Sequence, residues 1–97
     1  IINMHHVYLL ESESTGKKYI GYTTDLKRRL AEHNAHKNVF TAKEQKWKLI
    51  YCETYVNKMD ALGREKFLKS GSGWGFLKKQ ITYYLAEVKS SEILSGK

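Results

Sequence analysis

Three short segments of the chain have the hydrophobic pattern of β-strands. Residues 7–10 form an apolar run, and residues 47–55 are rich in aromatic and β-branched side chains. Ser, Thr and Gly16 follow the first run and favour a turn, after which residues 18–22 resume a strand pattern. The first two segments are therefore predicted to form a hairpin, to which the third adds a strand.

Three helices are predicted around these strands, at residues 24–35, 58–70 and 75–88, with a frayed tail at 89–97. Thr23 or Thr24 can cap the first helix, with Asp25 in its first turn, and Asn57 can cap the second. The order is ββαβαα. It predicts an α+β fold, within the broad α/β class, in which helices flank a small, mostly antiparallel three-stranded sheet.

Length and composition favour a single domain over residues 1–97, with its core at about 7–80. A chain of 97 residues can bury one modest core and leaves no room for a separate specificity domain. The hydrophobic fraction is 41%, and no stretch has the composition of a linker. DNA targeting by a partner protein is therefore one expectation for this chain.

Two polar residues lie close to the apolar stripe of the first predicted helix. Leu26 and Leu30 define that stripe, and Arg29 and His33 lie along its edge, one turn apart. One interpretation is structural, with Arg29 extending past the core and His33 as a half-buried filler. The other is that both side chains edge a functional cleft.

The second predicted helix carries a carboxylate inside an apolar arc. Ala61, Leu62 and Leu68 define the arc, and Glu65 falls within it. A carboxylate in such a place is costly unless a cation or a metal ion meets it. An i,i+4 pair with Lys69 is the structural alternative.

Charge favours a polyanionic partner. The chain has 17 Lys and Arg against 10 Asp and Glu, a net charge of +7. Such a balance in a small domain is typical of nucleic-acid binding through phosphate neutralisation, although many basic proteins bind no particular partner. The candidate backbone contacts are Lys17, Lys18, Lys27, Arg28, Lys78 and Lys79.

The same composition argues against membrane and secreted classes. No apolar run approaches the 18 residues of a membrane span, and no basic segment precedes a long apolar one. A lone cysteine, Cys52, gives neither an internal disulfide nor a zinc cluster. We expect a reducing, cytoplasmic compartment and no association with membranes.

Arginine, histidine and glutamate together suit phosphodiester hydrolysis. That reaction needs a hard cation, a base for the nucleophile and positive charge on the transition-state phosphate. Glu65 suits the cation, Arg29 the phosphate, and His33 a proton or a phosphate oxygen.

These residues continue into a pattern that resembles the GIY-YIG endonuclease superfamily. His6-Val7-Tyr8 and Tyr19-Ile20-Gly21 are similar to the two halves of its motif. Arg29 and His33 follow Tyr19 by ten and fourteen residues, as in the family, and Glu65 lies in a segment similar to its metal-binding helix. The likeness covers about residues 7–80 and is closest to the compact single-domain branch.

The resemblance implies one divalent ion, Mg²⁺ or Mn²⁺, held by Glu65 alone, with water and the scissile phosphate as its other ligands. It also implies that Tyr8 or Tyr19 accepts the proton of the attacking water. A phenol has a pKa of about 10, so cations must lower it, and Lys18, Arg29 and the metal are candidates. Tyr8 is our predicted base and Tyr19 its orienting partner.

The sequence departs from the family in two places. His6 occupies the position of the first motif glycine, and no asparagine follows Asn57, where family members often carry one late in the domain. Ser72 or a lysine could fill that role. Gly63, inside a predicted helix, costs about 1 kcal/mol relative to alanine and would permit close approach of a helix or of DNA.

The expected function is metal-dependent hydrolysis of DNA phosphodiester bonds by an endonuclease. Relatives in the resembled family include the excision-repair incision nuclease and homing endonucleases, so branched or single-stranded DNA in repair or recombination is an expected substrate. The alternative is a catalytically inactive nucleic-acid-binding module of the same fold.

Overall fold

A computed structural model describes residues 3–36 and 46–94 of the chain. In chain order the elements are β1 (His5–Ser12), β2 (Lys18–Thr23), α1 (Leu26–Asn34), β3 (Trp47–Tyr55), α2 (Lys58–Leu68), α3 (Gly73–Gln80) and α4 (Thr82–Leu94). The predicted α+β fold with a three-stranded sheet is confirmed. In the described residues, none of the helices combines the length and apolar character needed to span a membrane.

Strand β1 lies in the centre of the sheet, which has the order β2-β1-β3 and is antiparallel at both pairings. Tyr8 pairs with Gly21 on β2 and with Cys52 on β3. A register shift between Leu9 and Leu10 lets β3 carry one additional residue. The central strand is thus fixed from both sides at the first motif tyrosine.

One face of the sheet carries a hydrophobic cluster under α1. Tyr8, Leu10 and Trp47 are buried in it. Tyr19, Leu26 and Leu30 pack against these three. The apolar stripe predicted for the first helix therefore contacts the sheet face that bears both motif tyrosines.

The caps and ends of α1 differ from the prediction. Asp25, and not Thr23 or Thr24, is the N-cap, because its carboxylate accepts the backbone N–H of Arg28 at 3.0 Å. The Thr23 hydroxyl instead accepts the N–H of Asp25 at 3.0 Å. The Asp25 carboxylate therefore bonds to the first turn of α1, whereas the Thr23 hydroxyl bonds to the backbone before the helix begins.

Asn34 joins the end of α1 to the start of β3. Its side-chain oxygen accepts the backbone N–H of Trp47 at 2.6 Å, and its amide donates to the carbonyl of the same residue at 3.1 Å. This two-point contact fixes α1 on the strand that follows it. The sequence pattern contains no signal for it, since the partners are thirteen residues apart.

The chain divides into two compact units, Ile1–Lys66 and Phe67–Lys97. In the second, the single helix predicted at 75–88 is two helices that meet at Ile81. Ile81 is buried with non-helical dihedral angles (φ −122°, ψ 32°), and the Thr82 hydroxyl donates to the carbonyls of Lys78 and Lys79.

The tail predicted to fray is helical as far as Leu94, while residues 95–97 lie outside the described part of the chain. Helix α2 ends at Leu68, whereas the sequence predicted that it continues to residue 70. Asn57 caps α2 as predicted, with its side-chain oxygen 2.8 Å from the backbone N of Met59.

A polar cluster around Glu53 occupies the sheet face opposite Tyr8. Glu53 pairs with Val7, the neighbour of Tyr8, and side chains alternate between faces along a strand. Its carboxylate accepts hydrogen bonds from Tyr51, Tyr55 and Arg64. Burial by itself would raise the pKa of Glu53, but these bonds outweigh burial and lower that pKa to about 2.

We expect this carboxyl to make the free energy of unfolding depend on acid pH. Because the folded pKa of about 2 lies below the ordinary 4.5, stability falls as the pH drops from 4.5 towards 2. The loss attributable to Glu53 is up to roughly 3 kcal/mol. Urea unfolding of wild type and Glu53→Gln across this range measures it. Parallel pH curves for the two proteins would contradict the assignment.

Candidate active site

Tyr8 and His33 form a buried hydrogen bond between the central strand and α1. The Tyr8 oxygen lies 3.0 Å from Nε2 of His33. Tyr8 is 3% exposed and His33 is fully buried. His33 is therefore the most deeply buried residue of its helix and not an edge residue. A polar ring can be buried there because the Tyr8 phenol forms a hydrogen bond with Nε2.

Tyr19 completes an aromatic group with these two residues. Its ring centroid lies 4.8 Å from that of His33 and 6.3 Å from that of Tyr8. Tyr19 is only partly buried, unlike Tyr8. Both motif tyrosines thus meet one histidine, with Tyr19 nearer to solvent.

Gly21 supplies the space that the Tyr8 side chain occupies. An added Cβ at Gly21 would overlap the Tyr8 hydroxyl and lie 3.0 Å from Cε1 of Tyr19. The two residues are direct cross-strand partners, so a larger side chain here must displace the phenol. The glycine of the second motif triplet is therefore a steric requirement of the Tyr8–His33 hydrogen bond, a role that spacing alone did not indicate.

The Arg29 side chain has a buried N–H. Its Nε is buried and has no hydrogen-bond partner among the described residues. The Nη1 atom lies 3.6 Å from Glu32, and the side chain lines a small pocket with Tyr8 and Leu10. A buried N–H without an acceptor costs about 1–3 kcal/mol, and a phosphate oxygen would satisfy it.

Burial is the main cause that raises the pKa of the Tyr8 phenol above its ordinary value of 10.0, and Tyr19 raises it further. Arg29 acts in the opposite direction, while Glu65 and Glu32 add to the increase. The phenol is therefore protonated at neutral pH. The positive charge that opposes this is Arg29, one of the cations named from the sequence.

Burial also lowers the pKa of the His33 imidazole, and the nearby Arg29 charge lowers it further, against a smaller effect of Glu32. His33 is therefore neutral at pH 7. A neutral imidazole with a protonated phenol beside it can accept the phenol proton at Nε2.

Glu65 contributes negative charge to the same centre from α2. Its side chain is partly buried, as the helical pattern predicted, and its charge acts on Tyr8. Within residues 3–36 and 46–94, no three His, Cys, Asp or Glu side chains are grouped as a metal site would need. A site with so few protein ligands fits an ion such as Mg²⁺ or Mn²⁺, which prefers oxygen ligands and keeps much of its hydration, and does not fit a closed zinc site.

The candidate backbone-binding residues have different surroundings. Lys18 forms a 2.9 Å ion pair with Glu11 and, by strand alternation, lies on the face opposite Tyr19. Lys17 lies in the turn before it. Lys27 and Arg28 are exposed on α1. In the second unit, Lys78 and Lys79 are exposed in the last turn of α3.

The structure gives the surroundings of three further positions that the sequence singled out. His6 replaces the first motif glycine and places Nδ1 2.8 Å from the Thr54 hydroxyl, so this position holds a side chain without displacing the strand. A Cβ on Gly63 would meet no described atom within 4 Å. Close packing within the described chain is therefore not the reason for Gly63. Ser72 is the N-cap of α3 and makes no side-chain capping bond.

A sequence model described as the GIY-YIG catalytic domain matches residues 4–74 of the chain. The chain therefore belongs to the GIY-YIG family, whose fold is of the nuclease type. It is also similar to UPF0213 proteins from bacteria and archaea, and no solved structure matches it.

Among these relatives, the UPF0213 protein of Halobacterium salinarum is 43% identical over 67 residues, which cover 68% of this chain and 86% of the relative. The UPF0213 protein of Streptococcus pneumoniae serotype 4 is 43% identical over 65 residues, which cover 66% of this chain and 65% of the relative.

Substitution of the two glycines should have opposite effects on stability. Gly21→Ala forces the Tyr8 phenol aside and should lower the free energy of unfolding by about 2 kcal/mol. Gly63→Ala, the matched control in the open interior of α2, should raise it by up to about 1 kcal/mol. Urea unfolding measures both changes. Wild-type stability in Gly21→Ala would show that the phenol does not need the glycine.

Proposed function

We propose that this chain is a metal-dependent endonuclease that hydrolyses DNA phosphodiester bonds. The observation that carries the proposal is the Arg29 side chain, whose buried Nε has no hydrogen-bond partner among the described residues and whose charge acts on both Tyr8 and His33. A buried guanidinium N–H without an acceptor lowers the stability of the fold, but it could donate a hydrogen bond to a bound phosphate. Membership of a nuclease family supports the same reaction.

Glu65 would hold one Mg²⁺ or Mn²⁺ ion, with water and a phosphate oxygen as the remaining ligands. When bound, such an ion supplies Lewis-acid charge to the scissile phosphate. Glu65 lies on α2 and Arg29 on α1, so two different helices would supply the groups that meet the phosphate.

Tyr8 and His33 would accept the proton of the attacking water as a pair. Tyr8 takes that proton while it gives its own proton to Nε2 of His33, so a free phenolate is not required. This matters because burial raises the pKa of the phenol. The water oxygen bonds to phosphorus, the bond to the leaving sugar oxygen breaks, and Arg29 stabilises the added negative charge. Tyr19 orients the water or the phosphate.

The backbone of DNA would lie against the exposed cations. Lys27 and Arg28 are close in sequence to Arg29 and project from the solvent side of α1, so they suit flanking phosphates. Lys78 and Lys79 are further candidates in the second unit, whereas Lys18 is already paired with Glu11. The net charge of +7 supports binding that weakens with salt.

A cleavage panel tests the reaction. With Mg²⁺ or Mn²⁺, the wild-type chain should cut at least one of duplex, single-stranded, flap and forked DNA. Glu65→Gln and Arg29→Met should each reduce cutting by about 10²-fold or more. Arg29→Met should keep wild-type stability or gain about 1 kcal/mol, because it removes an unsatisfied buried donor. Asp60→Ala, an exposed acidic control on α2, should cut normally.

Unchanged cutting by Glu65→Gln and Arg29→Met would refute the site. Salt-sensitive binding of these DNAs with no cutting by wild type would instead favour the inactive binding module.

The proton-transfer roles predict the pH dependence of cleavage. Tyr8→Phe and His33→Gln should each lower kcat by about 10²–10⁴-fold, and Tyr19→Phe by less. Because the pKa of His33 lies below its ordinary 6.5, wild-type activity should persist at pH 6.5 and fall only at lower pH, where the imidazole is protonated. Rates of nicking between pH 5 and 9 measure this. A larger loss of kcat in Tyr19→Phe than in Tyr8→Phe would instead make Tyr19 the base and Tyr8 the orienting residue.

A further inference from the structure

We propose that Arg64 and Glu53 are a positioning pair, which sets the location of the Glu65 carboxylate. The inference rests on the proposed function, because Glu65 is there the metal ligand. Neither member of the pair is among the candidate catalytic residues, and both lie in the first unit of the chain.

The contact between the two side chains is bidentate. Nε of Arg64 donates to Oε1 of Glu53 at 2.6 Å, and Nη2 donates to Oε2 at 3.0 Å. Two parallel hydrogen bonds between planar groups fix the orientation of the guanidinium as well as its distance. A lysine at this position would supply the charge without that constraint.

The carboxylate that receives Arg64 is itself held in place. Tyr51 donates to Oε2 at 2.5 Å and Tyr55 donates to Oε1 at 2.6 Å, from the positions two before and two after Glu53 on β3. Each carboxylate oxygen therefore accepts two hydrogen bonds. Because three of the four groups belong to one strand, Arg64 is attached to the sheet at a defined point.

Arg64 directly precedes Glu65 in α2, so a constraint on one side chain constrains the other. Consecutive helical residues are related by a fixed rotation and rise, and the helix backbone between them is rigid. A helix rotation of roughly 20° would move a side-chain end about 5–6 Å from the axis by about 2 Å. Errors of 1 Å in the placement of a reacting group can cost about 10²-fold in rate.

The pair provides a defined geometry in addition to its contribution to stability. The Arg64 side chain is 25% exposed and that of Glu53 is 14% exposed. Replacement of a buried ion pair by apolar residues of similar size is often neutral for stability, so the defined orientation is what such a replacement would remove here. Glu53 lies on the sheet face opposite Tyr8, so the pair acts through Glu65 and does not touch the proposed substrate site.

The test measures metal binding at Glu65 directly, with Mn²⁺ alone as the probe. NMR of the side-chain carboxyl carbon of Glu65 follows its paramagnetic broadening in the full chain. Arg64→Met and Glu53→Gln should each raise the Mn²⁺ concentration for half-maximal broadening about tenfold, as outer-shell substitutions commonly do. The double variant should be no worse than either single variant, because both remove the same contact.

Three variants serve as controls. Lys66→Met removes the cation on the other side of Glu65 in the sequence and should stay within about twofold of wild type. Leu77→Ala lowers stability from the buried core of α3 and should leave Mn²⁺ binding unchanged. Arg64→Lys keeps the charge but loses the bidentate contact, so it should resemble Arg64→Met.

In cleavage assays, the half-saturating Mg²⁺ concentration should rise about tenfold in Arg64→Met and Glu53→Gln. A folded Arg64→Met with wild-type values in both assays would overturn the positioning role, as would the absence of Mn²⁺ broadening at Glu65 in wild type. Failure of wild type to cut any DNA overturns the proposed function, and the Mn²⁺ comparison still decides whether the pair positions Glu65.

Discussion

The hydrogen bond between Tyr8 and His33 is the interaction on which the candidate site depends. It joins the central strand to α1 in a buried environment and thereby brings Arg29, one turn earlier on the same helix, beside the phenol. The bond requires that Gly21 has no side chain, since a Cβ there would occupy the position of the hydroxyl. One buried polar contact thus accounts for a motif tyrosine, a motif glycine and the histidine that follows them.

The two faces of the sheet carry polar groups of different kinds. Under α1 the phenol and imidazole are both uncharged at neutral pH, because burial opposes ionisation of each. On the opposite face Glu53 stays ionised, because Arg64 and two tyrosines donate to it. A small sheet can hold both groups because neighbouring strand residues point to opposite faces.

Local sequence signals predicted the elements well where they are strong. The aromatic and β-branched run at 47–55 is β3 to the residue, and Asn57 caps α2 as expected. Where several neighbouring polar side chains could cap or end a helix, the sequence did not show which of them does so. Asp25 caps α1 in place of the neighbouring threonines, and Thr82 with buried Ile81 divides the last helix. These outcomes depend on side-chain reach and burial, which a hydrophobic pattern does not contain.

The sequence by itself determined the fold class and, through its resemblance to the GIY-YIG motifs, the family and the candidates Tyr8 and Tyr19. Helical spacing indicated Arg29, His33 and Glu65, because that spacing decides which residues share a face. The tertiary structure alone decided which of these groups are buried, charged or in contact. It placed His33 at full burial and left Nε of Arg29 without an acceptor among the described residues. It also joined Glu53 to Arg64, eleven residues later in the chain. Desolvation and hydrogen bonding depend on distances between elements, and those distances exist only in the folded chain.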